Sequence, residues 1–164
     1  MKHLRTIAIL VTLGLSLGAC ASTQTAYGVG DGDSVLAFAV DAHSKSSIHW
    51  ALMELEPVEA GGTMVRVSLH AWKDHEALSG VPAGEYRVSS LRLGWADGSL
   101  GRELAVPAET VVVAPGAIAV APFAASFTAS GTVEWNPVSE DRRLAVENTV
   151  AEEIESRFQL IAQR

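Results

Sequence analysis

The chain has 164 residues, 48% of them hydrophobic and 19% charged, with 12 Lys and Arg against 19 Asp and Glu and a net charge of −7. That acidity leaves no electrostatic footprint for a phosphate backbone, so no nucleic-acid partner is expected. The only cysteine is Cys20, which excludes an intrachain disulfide and leaves the fold to its apolar core.

Met1-Lys2-His3-Leu4-Arg5 is a short basic stretch, followed by an apolar run from Ile7 to Leu17 broken only by Thr12, Gly14 and Ser16. A helix that spans hydrocarbon needs about twenty apolar residues, and this run is about half that. Basic start, short apolar run and small residues make residues 1–19 an expected secretory signal. Leu17-Gly18-Ala19-Cys20 resembles the lipobox of bacterial lipoproteins: an aliphatic residue, two small residues, then cysteine. The resemblance implies cleavage before Cys20, a diacylglyceryl group on its sulfur and commonly acylation of the freed amine. Two or more chains anchor stably at about 0.8 kcal/mol per buried methylene, whereas one is marginal. Membrane lipid, through acylated Cys20, is therefore the first expected partner. Ala21 follows in place of Asp, which by the enteric sorting rule implies the outer membrane, facing the periplasm. Loss of residues 1–19 removes Lys2 and Arg5 and no acid, moving the charge to −9.

Residues 20–33 read as the lipidated cysteine and a small, polar, glycine-rich tether, reaching about 20 Å as a random coil. Asp31-Gly32-Asp33 lacks the further oxygen ligands of a calcium loop.

From Ser34 the apolar period becomes two, and residues 34–137 are predicted to form an antiparallel β-sandwich, mainly β in class. In Ser34–Asp41, Leu36, Phe38 and Val40 fall on one face and Val35, Ala37 and Ala39 on the other, as in a strand covered on both sides. Further strands are expected at Ile48–Glu56, Met64–His70, Glu85–Leu93, Thr110–Ala114, Ala117–Ala121, Ala124–Thr128 and Thr132–Trp135. Turns are expected at Gly61-Gly62, Ala96-Asp97-Gly98-Ser99 and Pro115-Gly116. Residues 71–80 and 94–100 read as loops. The segment 138–164 is predicted to be a helix packed on the sandwich, capped by Ser139 with Glu140 and Asp141 in its first turn. Val146, Val150, Ile154, Phe158 and Ile161 recur at helical spacing, and Glu153 precedes Arg157 by four.

Val81-Pro82-Ala83-Gly84-Glu85-Tyr86-Arg87-Val88 resembles the V/L-P-x-G-x-Y-x-V segment of prealbumin-like, carboxypeptidase regulatory-like sandwich modules. The resemblance implies that Pro and Gly turn the chain into a strand and that Tyr86 packs on the core. Val113 to Val120 is similar to a second copy, with Ile118 where bacterial lipoprotein relatives usually carry an aromatic. Such modules usually serve as structural or binding units, and fold alone does not assign function.

The chemistry-bearing residues are sparse. The mature part has His43, His49, His70 and His75. His70, Asp74 and His75 are the candidate metal ligands, a strand end and the following loop being able to converge. No G-x-S-x-G elbow and no Gly-rich phosphate loop occur, so no catalytic residue is assigned and no cofactor is expected. Ser89-Ser90 beside a histidine brought in by the fold could mimic a Ser–His pair, and Glu54, Glu56, Glu76 and Glu85 could host a glycosidase pair, but these acids are read as solvated surface charges. Among the tryptophans, Trp50 is expected in the core and Trp135 under the helix, while Trp72 and Trp95, near turns, are the candidate partner-binding residues. The sequence thus favours a non-enzymatic envelope lipoprotein that meets an envelope protein partner. A periplasmic small-ligand or metal-binding protein using the His70–His75 region, and a hydrolase, are the alternatives.

Overall fold

The computed structural model describes residues 34–41, 48–95 and 99–162, with side chains to residue 157. The expected signal, Cys20, the tether, His43, the turn residues 96–98 and the side chains of Phe158 and Ile161 lie outside the described residues. Nine strands and one helix are described: β1 (Ser34–Asp41), β2 (Trp50–Pro57), β3 (Val65–His70), β4 (His75–Val81), β5 (Gly84–Gly94), β6 (Leu100–Glu103), β7 (Thr110–Val113), β8 (Ile118–Phe127), β9 (Val133–Pro137) and α1 (Glu140–Ala162). They form two sheets, mostly antiparallel and not closed into a barrel. One has the order β4-β1-β8-β9; the other runs β3-β2-β5-β6, with β7 also paired to β5.

β1 explains the architecture. Its residues Ser34 to Val40 are all buried. Leu36, Phe38 and Val40 enter the core between the sheets, alongside Met53, Leu55, Leu69, Leu91 and Phe127. Val35, Ala37 and Ala39 face the other way and are covered by Val146 and Val150 of α1. The helix therefore lies on the outer face of the four-stranded sheet, as its apolar spacing predicts. Its first turn is capped by Ser139, whose Oγ accepts from Arg142 N at 3.3 Å. Small alanines on β1 and at Ala124 of β8 let the helix approach closely.

Four sequence expectations change. β1 pairs with β8 in parallel, not antiparallel, fashion. No local pattern encodes that pairing, because the partners lie more than 80 residues apart. The two predicted strands at 117–121 and 124–128 are one strand, β8. It continues through Pro122 because the β1 ladder skips there, between Ala37 and Ala39, so the missing N–H costs no bond. Residues 75–80 of the expected 71–80 loop belong instead to the edge strand β4 on β1. Finally, Leu100–Glu103 forms a short strand, β6, on β5.

The end of the sandwich where β1 begins is stitched by Ser34. Its buried hydroxyl donates to Ala114 O at 2.8 Å and accepts from Gly116 N at 3.0 Å. The turn it holds uses Gly116 at φ 67°, a left-handed conformation that glycine adopts without cost.

Candidate functional site

The opposite end of the sandwich gathers the aromatic rings. Trp50 opens β2, with His70 and Gly94 as its register partners on β3 and β5. Alternation predicts one buried face for β2 but not which one; Ala51, Met53 and Leu55 take the core side. Trp50 therefore lies on the outer face, half-buried, and not in the core. Its indole covers Gly94 so closely that a Cβ there would stand 1.9 Å from Trp50 Cε2. Trp50 Nε1 donates to Trp95 O at 3.2 Å. Trp95 crosses Gly101, where a Cβ would stand 2.6 Å from its Nε1. On the other side, Trp72 packs against His70 with ring centroids 4.7 Å apart. Trp72, His70, Trp50 and Trp95 thus lie at the same end of the fold, an aromatic strip linked by the His70–Trp72 ring contact, the backbone register of His70 with Trp50 and the Trp50 bond to Trp95 O. Its two outer members, Trp72 and Trp95, are 62% and 47% exposed.

Trp135 is not part of this strip, nor does it lie under the helix. It faces the core, edge-on to Phe123 at 5.2 Å, with Nε1 donating to Ala105 O at 2.9 Å.

The turn between β3 and β4 carries the polar residues of the site. The register Phe38↔Glu76 and Ala39↔His75 sends these neighbours to opposite faces of the sheet. Glu76 points to the core side and is buried, where His70 Nδ1 closes on its Oε1 and Lys73 Nζ reaches its Oε2 at 2.9 Å. The surface role expected of Glu76 is thus wrong. A buried carboxylate persists because two cationic or donor groups meet it. His75 points to the helix side: Nδ1 stands 2.7 Å from Asp74 Oδ1, and Nε2 stands 3.2 Å from Glu153 Oε1. Hydrogen bonding to His75, with the nearby charges of His75 and Arg142, holds the Asp74 carboxyl below its ordinary range despite partial burial. Arg142 also clamps two strand-end carbonyls, donating to Asp74 O at 3.0 Å and Val40 O at 3.3 Å.

The structure therefore brings Asp74 and His75 together but sets His70 apart on Glu76. With both ring nitrogens of His75 facing carboxylates, none is left for an ion. Among the described residues, no three His, Cys, Asp or Glu side chains are grouped to hold a metal. The expected metal arrangement of His70, Asp74 and His75 is not assembled.

Between this turn and the C-terminal half of α1 lies an open groove of about 520 Å³, walled by Trp72, Lys73, Asp74 and His75 on one side and Glu153 and Arg157 on the other. Glu76, Glu153 and Arg157 are site residues that sequence reasoning missed. Glu153, read from the sequence only as lying four residues before Arg157, meets His75 across the fold. Elsewhere, Ser89 sits at a bulge in β5 and donates to Glu54 O at 3.3 Å. Glu54 and Glu56 form ion pairs with Arg66 and Arg87.

The fold and site define a mainly β sandwich with a helix on one face and an aromatic strip at one end. Compared with protein-family models, curated proteins and solved structures, the chain matches none.

Proposed function

We propose that this chain is a bacterial envelope lipoprotein, cleaved after residue 19 and acylated at Cys20, whose sandwich is a non-enzymatic docking module for an envelope protein. The observation that carries this reading is the exposed strip of Trp72 and Trp95, placed at the end of the sandwich opposite Ser34. A tether that joins at Ser34 would leave the strip roughly 25 Å further along the strands, pointing away from the anchored leaflet. No helix among the described residues is long and apolar enough to cross a membrane. In this reading the acyl chains supply the attachment, and confinement to one leaflet raises the effective concentration of a partner in the same membrane. The outer membrane, facing the periplasm, is the leaflet that Ala21 favours.

A prealbumin-like affiliation belongs to the same proposal. Tyr86 supports it: the ring is 2% exposed, and its hydroxyl donates to Pro82 O at 2.8 Å, four residues upstream. In the second segment Ile118 packs on the helix side, where an aliphatic side chain suffices.

Two measurements test the proposal separately. Mass spectrometry of the mature N-terminal peptide should find an acylated Cys20; an unmodified N-terminus at another residue refutes the anchor. Replacing Trp72 and Trp95 together by alanine should abolish partner recovery while the protein stays folded and membrane-bound; unchanged recovery refutes the docking surface.

A further inference from the structure

We infer that the partner docks by adding an extended strand of its own to the open edge of β3. The inference rests on the docking reading above and names the kind of segment the partner presents.

The hydrogen-bond ladder fixes which groups of β3 are free. β2 and β3 pair from Trp50 opposite His70 to Leu55 opposite Val65, with no break in register. One step beyond, Ala71 N donates to His49 O at 3.0 Å, so that pair is hydrogen-bonded. Bonded and non-bonded pairs alternate along an antiparallel ladder. Val65, Val67 and Leu69 therefore bond to β2, while the N–H and C=O of Arg66 and Ser68 and the N–H of His70 point away from it. His70 O is taken by Lys73 N at 3.2 Å, within the turn. Among the described residues β3 pairs with β2 alone, and Arg66 and Ser68 are exposed. Two donor–acceptor sets about 7 Å apart on one line match the backbone of another extended strand.

The other edges are guarded. β4 is broken at Gly80, φ 73°, where its register with β1 shifts, and Arg142 of α1 reaches Asp74 O at its start. β9 ends on Pro137, which has no N–H. β6 and β7 have four residues each, and Arg102 to Gly131 O and Trp135 to Ala105 O tie that side across the sandwich. β3 has six residues without Pro, Gly or bulge. Its arginine, Arg66, is drawn back over the sheet to Glu54 at 2.8 Å and does not stand across the edge. An edge strand that lacks such guards is open to pairing.

Trp72 marks one end of the added strand. It stands at the His70 end of the edge, its ring against that of His70, on the turn that leads to β4. A strand laid along β3 brings its side chains to that indole. A second copy of this chain is disfavoured as the occupant. Symmetric pairing of β3 with β3 runs antiparallel, which turns one Ser34 end away from the leaflet that anchors the other. Two chains of net charge −7 also repel. The occupant is a strand of another protein.

Hydrogen exchange on the full-length protein alone should find the amides of Val65, Val67 and Leu69 protected, with those of Arg66, Ser68 and His70 exchanging about tenfold faster or more. Protected Arg66 and Ser68 amides would overturn the inference. Docking is then read from the adduct of a photo-crosslinking amino acid at position 72 in intact cells. Ser68→Pro removes an N–H that β2 does not use, so the ladder survives and the adduct should be lost. Ser68→Ala keeps that N–H and should leave the adduct unchanged. In the purified wild-type adduct the amides of Arg66 and Ser68 should slow by about tenfold or more, a readout that stands even where Ser68→Pro unfolds. Strand addition is overturned by an adduct that persists in a Ser68→Pro protein whose Val67 and Leu69 amides stay protected. Loss of the adduct in Ser68→Ala, unchanged exchange at Arg66 and Ser68 in the adduct, or an adduct with a second copy of this chain does the same. Persistence in Ser68→Pro leaves docking at the aromatic end standing, whereas no adduct in the wild type removes the docking reading itself and strand addition with it.

Discussion

Replacing Gly94 with alanine puts a methyl group where the Trp50 indole now lies, 1.9 to 2.3 Å from three of its ring atoms. Gly94 has no positive φ, so the backbone tolerates alanine and the whole cost must come from the ring. To make room, Trp50 must leave the sheet and give up its bond to Trp95 O. A half-buried indole covers about 100 Å², worth about 2.5 kcal/mol at 25 cal/mol per Å². The lost hydrogen bond adds about 1 kcal/mol, and the stiffer unfolded chain returns about 0.4–1 kcal/mol. Gly94→Ala should therefore destabilise by about 2–3 kcal/mol in urea unfolding followed by far-ultraviolet circular dichroism. The same change in a Trp50→Ala background should be neutral or stabilising by up to about 1 kcal/mol, because the obstacle has gone. A cost below about 0.5 kcal/mol in the wild type, or an equal cost in both backgrounds, would refute the placement of Trp50 on Gly94 and with it the strip.

Tyr86→Phe should cost about 1 kcal/mol, since it strands Pro82 O without its donor; equilibrium unfolding measures it. Burial pushes the Tyr86 phenol upward, so an absorbance titration should find it ionising above the ordinary tyrosine range, with stability falling as pH rises into that range. Val150→Ala should cost about 2 kcal/mol by emptying the helix–sheet contact, whereas Leu144→Ala, at an exposed position, should stay within about 0.5 kcal/mol. Glu76→Gln should cost about 1–2 kcal/mol, because it weakens bonds to both His70 and Lys73; Lys73→Ala in that background should then cost almost nothing.

How far these features could be read from the chain depended on whether their causes were local. The double-faced apolar pattern of β1 was legible because a central strand under a helix must bury both sides, and its predicted limits match the structure. The helix was legible from Ser139 and the spacing of Val146, Val150 and Ile154. β4 was not: Glu76 occupies its core-facing position and breaks the apolar alternation. What makes a carboxylate tolerable there, His70 and Lys73, becomes visible only once the turn is folded. Alternation placed Trp50 on one of two faces without saying which was covered. The parallel pairing of β1 with β8 and the reach of Glu153 to His75 are products of topology, which no window of neighbouring residues contains. Trp72 and Trp95 were readable as exposed because turn signals flank both; that Trp50 and His70 join them into one strip was not.

Docking through the aromatic end is tested most directly by placing a photo-crosslinking amino acid singly at positions 72, 95 and 112 in intact cells. Val112 is the control, 68% exposed but on β7, whose partners Gly84 to Arg87 lie toward the Ser34 end. The account predicts one discrete envelope-protein adduct from positions 72 and 95, none from 112, and loss of the adduct in Cys20→Ala. Adducts from 112 alone, or adducts from 72 and 95 that persist unchanged without Cys20, would contradict it.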